Sequence, residues 1–141
     1  MSASHDKAEL SARLPRTQPD RVNILLVDDQ PARLLSYETI LGQLGQNLIC
    51  ARSGVEALAR LMKDEFALVL LDVSMPGMDG YDTMGAIREQ PDSLSLPIVA
   101  LTAKAMKGDR EKCLEAGASD YLAKPVVTDQ LLGMLRQWLH R

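Results

Sequence analysis

Apolar runs recur along the chain from residue 22 onward, and helical patterns separate them. Val22–Val27 (VNILLV), Ala67–Leu71 (ALVLL) and Pro97–Leu101 (PIVAL) are nearly continuous in apolar residues. That is the pattern of strands buried on both faces of a parallel sheet; half-exposed strands alternate instead. Asn47–Ala51 and Ser119–Leu122 are further short candidate strands. Leu34, Leu35, Tyr37, Ile40, Leu41 and Leu44 recur at helical spacing. Pro31 precedes them at a first helical position, where its missing N–H has no partner to lose, and Gly45 is the expected stop. Ser53 with Glu56 forms a capping box for a helix to about Asp64, with Val55, Leu58, Leu61 and Met62 on it. Asp79 caps a helix running to about Gln90. Lys107–Ala116 is a short charged helix closed by Gly117, and Thr128–Leu139 is the last helix.

Five strands alternating with five helices predict an α/β fold: a parallel sheet covered by helices on both faces, joined by right-handed crossovers. The length of 141 residues suits one domain. Residues 21–141 are assigned to it. Residues 1–20 are polar, broken by Pro15 and Pro19, and predicted to form a flexible tail; Glu9–Leu14 is long enough for a turn of helix at most.

Composition narrows the function classes. Apolar residues make up 46% and charged residues 25%, ordinary for a globular domain, and the net charge is −3. No basic surplus exists to displace counterions from nucleic-acid phosphates, so direct nucleic-acid binding is not expected. No segment approaches the ~20 apolar residues of a membrane span, and no membrane partner is expected. The N-terminus lacks the apolar core of a signal peptide. Cys50 and Cys113 are neither paired in a CxxC nor close to a histidine, so a reducing cytoplasmic setting is the default and both read as small hydrophobes.

The chemistry gathers at the strand ends. In an open parallel sheet, the functional edge lies at the carboxyl ends of the strands. The first strand ends in Asp28-Asp29, the third in Asp72 and the fourth in Leu101-Thr102, and Lys124-Pro125 follows the fifth. Three carboxylates on one rim raise each other's pKa unless a cation neutralises them. All-oxygen ligands favour Mg²⁺ or Mn²⁺, and Mg²⁺ is usually held by one or two carboxylates with phosphate oxygens and waters. Lys124 is a compact charge able to pair with Asp72 and then with a phosphoryl oxygen, and Thr102 offers a short hydroxyl to the same group. Phosphoryl transfer depends mostly on positioning and charge neutralisation, which suits Asp72 as a nucleophile forming an acyl phosphate. Taken singly, each residue has a plainer reading: an Asp-Asp pair is usually a solvated loop or a helix cap. The joint placement, each residue just past an apolar strand, is what points to chemistry.

The segments LLVDDQP (Leu25–Pro31), LLDVSMPGMDG (Leu70–Gly80), ALTAKA (Ala100–Ala105) and DYLAKP (Asp120–Pro125) resemble the response-regulator receiver family over roughly Val22–Leu139. The resemblance implies a (βα)5 flavodoxin-like doubly wound sheet of five parallel strands in order 2-1-3-4-5. It implies that Asp72 is the phosphoacceptor, Asp29 a direct Mg²⁺ ligand and Asp28 a ligand acting through water. The Ser74 carbonyl would complete the protein's share of the shell. Thr102 and Lys124 would contact the phosphoryl group, Lys124-Pro125 would be cis, and Thr102 and Tyr121 would form the switch. Ser74 and Lys104 would tune water access. The implied partners are a histidine kinase or histidine phosphotransfer protein and a downstream protein target, with a homodimer left open. Beyond its own phosphorylation and dephosphorylation, no enzyme activity is implied.

Lys104–Gly117 (KAMKGDREKCLEAG) is most similar to receivers of hybrid histidine kinases. A stand-alone regulator, suggested by Met1 and a chain closing at Arg141, and a module cut from such a kinase both stay open. A binding-only receiver is disfavoured because every required residue is present. A flavodoxin-like cofactor binder is disfavoured because Asp28-Asp29 would repel a phosphate after the first strand. A HAD-type phosphatase would want a second acid where Ser74 stands. Met62, Met84, Met106 and Met134 read as core filler, Met75 and Met78 as loop packing, Trp138 as partly buried, and Lys107–Lys112 as a solvated face.

Overall fold

The computed structural model describes residues 21–74, 79–103 and 107–140. Within them the strands are β1 (Asn23–Val27), β2 (Asn47–Ala51), β3 (Leu68–Asp72), β4 (Ile98–Thr102) and β5 (Asp120–Ala123). The helices are α1 (Pro31–Leu41), α2 (Gly54–Lys63), α3 (Gly80–Arg88), α4 (Lys107–Ala116) and α5 (Thr128–Leu139). All strand pairs are parallel, in the order β2-β1-β3-β4-β5. The expected tail, the Met75 and Met78 loop, Lys104 and Met106 lie outside the described residues.

Strand burial follows sheet position. Every residue of β3 and β4 is buried, as is every residue of β1 after Asn23, whereas the edge strands β2 and β5 are mostly half-buried. The period of two divides the core. Leu25, Val27, Val69 and Leu71 join Ala57 of α2, Met84 and Ile87 of α3 and Cys113 of α4 on one face. Ile24, Leu26, Leu68 and Leu70 meet Leu34, Tyr37 and Leu41 of α1 and Leu131, Leu132 and Leu135 of α5 on the other. Both faces of the sheet are therefore dry, which is why its central strands carry no alternation.

Local signals set the helix ends. Ser53 Oγ accepts from Glu56 N at 3.1 Å and Asp79 Oδ1 from Asp82 N at 2.8 Å, each satisfying a backbone donor with no partner inside its helix. Gly45 adopts φ 70° after a short 3-10 turn at Gly42–Leu44, so the stop follows the helix by that turn. The Lys124-Pro125 peptide is cis.

Strand bounds and one side chain differ from expectation: β1, β3 and β4 begin at Asn23, Leu68 and Ile98, one residue into the apolar runs, and β3 and β4 take in Asp72 and Thr102. β5 spans Asp120–Ala123, not Ser119–Leu122: the Ser119 N–H donates to the Ile98 carbonyl at 2.7 Å, but the Ile98 N–H goes to the Ser119 hydroxyl at 3.0 Å rather than to a β5 carbonyl. Met62 is 81% exposed, not core filler, since α2 buries only Gly54 and Ala57 fully. Val55 and Leu35 likewise face outward. Met84 is fully buried and Met134 packs partly buried against the second core face. Cys113 is buried and Cys50 half-buried; burial is the first cause raising both thiols, Cys50 to about 11. Gly108 and Arg110–Lys112 lie on an exposed face, with Asp109 half-buried.

At the amino edge of β5, Trp138 of α5 donates from its indole N–H to Asp120 Oδ2 at 3.1 Å. Beside it, Arg88 donates to the carbonyls of Gly117 at 2.9 Å and Ser93 at 2.7 Å, and to Ser119 Oγ at 3.3 Å. One guanidinium thus ties the end of α3 to the turns that lead into β4 and β5.

Candidate functional site

Register brings the acidic residues to one rim. Val27 pairs with Leu71 across β1 and β3, so the next residues, Asp28 and Asp72, stand side by side just where the strands end. Asp72 is level with Leu101, which leaves Thr102 one step further along β4 and paired with Ala123, next to Lys124. The Lys124 N–H donates to the Thr102 carbonyl at 2.7 Å, holding that turn against β4.

The side chains converge. Asp28, Asp29 and Asp72 each offer a carboxylate oxygen within 4.8 Å of the others. Asp28 and Asp72 are fully buried and Asp29 is partly exposed. Lys124 Nζ lies 2.8 Å from Asp72 Oδ2, and the Ser74 N–H donates to Asp72 Oδ1 at 2.9 Å. The Gln30 N–H donates to Asp28 Oδ1 at 2.9 Å. Three carboxylates with hard oxygen donors and an open side at Asp29 fit a divalent cation of the Mg²⁺ class. Thr102 is buried at the rim. Tyr121 lies two residues before Ala123 on β5, half-buried, with the Arg110 guanidinium 5.9 Å from its ring centre.

Sequence reasoning passed over Arg33. Its Nε donates to Asp28 Oδ2 at 2.8 Å and its Nη2 to Asp28 Oδ1 at 3.0 Å, a two-pronged fork. The same Nη2 reaches Asp72 Oδ2 at 3.2 Å and Asp29 Oδ1 at 3.4 Å. The hydrogen bond to Asp28 is the first cause holding this guanidinium above its ordinary pKa, with the charges of Asp28 and Asp72 adding to it. A signal was present: Pro31 opens α1, and side chains in a first helical turn lean back toward the helix amino end, here the strand ends.

Tyr37, one turn further along α1, is buried, and burial first, then the Asp28 and Asp72 charges, push its phenol up to about 12. The folded chain therefore keeps a proton that the unfolded chain releases above about pH 10. Stability is intact below that point and falls as pH rises toward 12. Tyr37→Phe removes its share of this fall, while Tyr81, also pushed to about 12 mainly by burial, keeps its own. Urea unfolding at stepped alkaline pH checks this: an equally steep loss in the variant would contradict it.

Residues 24–136 match the family model for the response regulator receiver domain. The chain is 41% identical over 132 residues to the sensor protein GacS of Pseudomonas syringae, covering 92% of this chain and 14% of that protein. It is 39% identical to the sensor histidine kinase RcsC of Salmonella typhi, covering 96% of this chain and 15% of that one. The chain thus spans about one seventh of the length of these relatives. Among solved structures, the receiver domain of a sensor histidine kinase from Pseudomonas aeruginosa, with a magnesium ion coordinated in its active-site cleft, superposes with a TM-score of 0.79 at 37% identity, covering 86% of this chain and 99% of that one. The chemotaxis protein CheY4 of Vibrio cholerae superposes with a TM-score of 0.80 at 30% identity, covering 84% and 99%.

Proposed function

From the premise that this chain belongs to the response regulator receiver domain family of two-component signalling, we propose that it accepts a phosphoryl group on Asp72 from a phosphohistidine and changes its surface for a partner protein. The observation that carries the assignment is the setting of Asp72: fully buried, 2.8 Å from Lys124 Nζ and inside a three-carboxylate cluster.

In this reading an Asp72 carboxylate oxygen forms the new bond to phosphorus while the phosphorus–nitrogen bond of the donor imidazole breaks, and the imidazole leaves with the bonding pair. The Ser74 N–H on Oδ1 fixes the carboxylate rotamer. Lys124 follows the developing charge onto the phosphoryl oxygens, and Thr102 offers its hydroxyl to the same group. A Mg²⁺ ion held there would supply neutralisation of the charge that the carboxylates and the phosphoryl group bring together. Asp29 and Asp72 would hold it directly, Asp28 through water, and Ser74 through its carbonyl; Mn²⁺ has the same ligand preference. Thr102 and Tyr121 form the switch, a local change of charge biasing a two-state surface.

The donor is a histidine kinase or a histidine phosphotransfer protein, the recipient of the switched surface is a downstream protein, and the setting is cytoplasmic. The receiver domain at 21–141 has no turnover beyond its own phosphorylation and dephosphorylation. A homodimer is a further form such a surface supports. A second reading, a receiver module within a longer hybrid kinase, is favoured by the similarity to sensor kinases many times its length; the reading frame around the coding sequence separates the two. Intact-mass spectrometry after incubation with a small phosphodonor tests the main reading. A single phosphoryl adduct is expected with Mg²⁺ and none after chelation; a folded protein with no adduct in Mg²⁺ would sink it.

A further inference from the structure

Arg33 lies where a cation shared by the three carboxylates would act. Its Nη2 alone is within 3.4 Å of oxygens on Asp28, Asp72 and Asp29. Asp72 Oδ2 is then shared between two cations, Arg33 Nη2 at 3.2 Å and Lys124 Nζ at 2.8 Å. The lone pairs that a metal ion would use are thus engaged by a guanidinium, and its full positive charge is retained at any physiological pH. The same side chain is 42% exposed and stands on the first turn of α1, so it has a path into solvent that leaves the core untouched.

We propose that Arg33 is an internal counterion that competes with Mg²⁺ for the carboxylate cluster and thereby sets the metal affinity of the site. The inference rests on the metal site proposed above. Two attachments differ in kind. The fork onto Asp28 uses two nearly ideal bonds at 2.8 and 3.0 Å, whereas the reaches to Asp72 and Asp29 are longer. Entry of the metal ion breaks the longer pair and leaves the fork, so Arg33 remains tethered to Asp28 and re-covers the cluster when the ion leaves. Without the ion, Arg33 keeps three acidic groups on one rim from repelling one another. With it, Arg33 acts against binding, because two cations then share the same ligands.

The test is calorimetric titration of Mg²⁺ into the chelator-treated chain, with thermal unfolding run alongside, for wild type, Arg33→Gln and Arg33→Lys. Arg33→Gln is expected to lower the Mg²⁺ Kd at least tenfold, to melt earlier than wild type without metal, and to gain more from added Mg²⁺, since a ligand stabilises in proportion to its affinity. Arg33→Lys keeps the charge and loses the fork, and should fall between the two. A loss of packing alone would weaken the metal, so tightening is the outcome that a merely structural role does not produce. Unchanged or weaker binding in Arg33→Gln, with wild type binding normally, overturns this inference and leaves the metal site standing. No Mg²⁺ binding by any of the three proteins overturns the metal site and this inference together.

Discussion

Asp72→Asn is expected to abolish the phosphoryl adduct completely while leaving the fold in place. The amide has no carboxylate oxygen with which to attack phosphorus. Its carbonyl still accepts the Ser74 N–H that orients residue 72. The exchange is nearly isosteric, and it removes one of three clustered negative charges, so the remaining two are less strained. Lys124 loses its full charge partner but is itself one-fifth exposed and can turn to water. Intact mass with a small phosphodonor and Mg²⁺ reads the adduct, and far-UV circular dichroism reads the fold. A folded variant that still gains one phosphoryl group would move the acceptor to another residue.

Gly80→Ala should cost about 3 kcal/mol of stability, the upper end of what overpacking a core usually costs. A Cβ at this position would lie 2.2 Å from the Val73 Cα, 2.8 Å from the Asp72 carbonyl oxygen and 2.8 Å from Leu71 Cδ2. Two of those atoms are backbone of the segment leaving β3 and cannot rotate aside. α3 begins at Gly80 and is pressed against that segment, with the Gly80 N–H 3.3 Å from the Val73 carbonyl. Relief requires moving either α3 or the chain carrying Asp72. The variant should therefore also take up phosphoryl groups more slowly, since displacement of a reacting group by about 1 Å is worth roughly 100-fold in rate. Urea unfolding gives the stability, and a loss below about 1 kcal/mol would mean that the helix start yields at little cost.

What was legible beforehand divides along physical lines. β1, β3 and β4 were readable because a strand covered on both sides must be apolar throughout, and no helix of that length needs to be. The rim followed from the same feature, since hydrophobic runs that stop abruptly at Asp28, Asp72 and Thr102 mark the strand ends themselves. The start of β5 was missed by one residue because a serine hydroxyl substituted for a backbone group, a choice that apolar pattern does not record. Met62 is exposed because α2 packs on the core through Ala57, Leu58 and Leu61, so the next long side chain along the helix turns to the wet side. Arg33 was invisible for another reason. A long polar side chain can lie along solvent or fold back over the preceding turn, and only the position of its partners decides which.

The hydrogen bond between Trp138 and Asp120 has a bearing on how this molecule can be watched. The chain has one tryptophan, and it sits at the start of β5, the opposite end of that strand from Lys124. An emitter so placed is blind to direct quenching by an ion or a phosphoryl group at the acidic rim. Any change in its fluorescence on adding phosphodonor would report that a displacement had run the length of β5 and reached the last helix. The protein therefore carries its own optical probe of propagated change, separate from any label placed where the chemistry occurs.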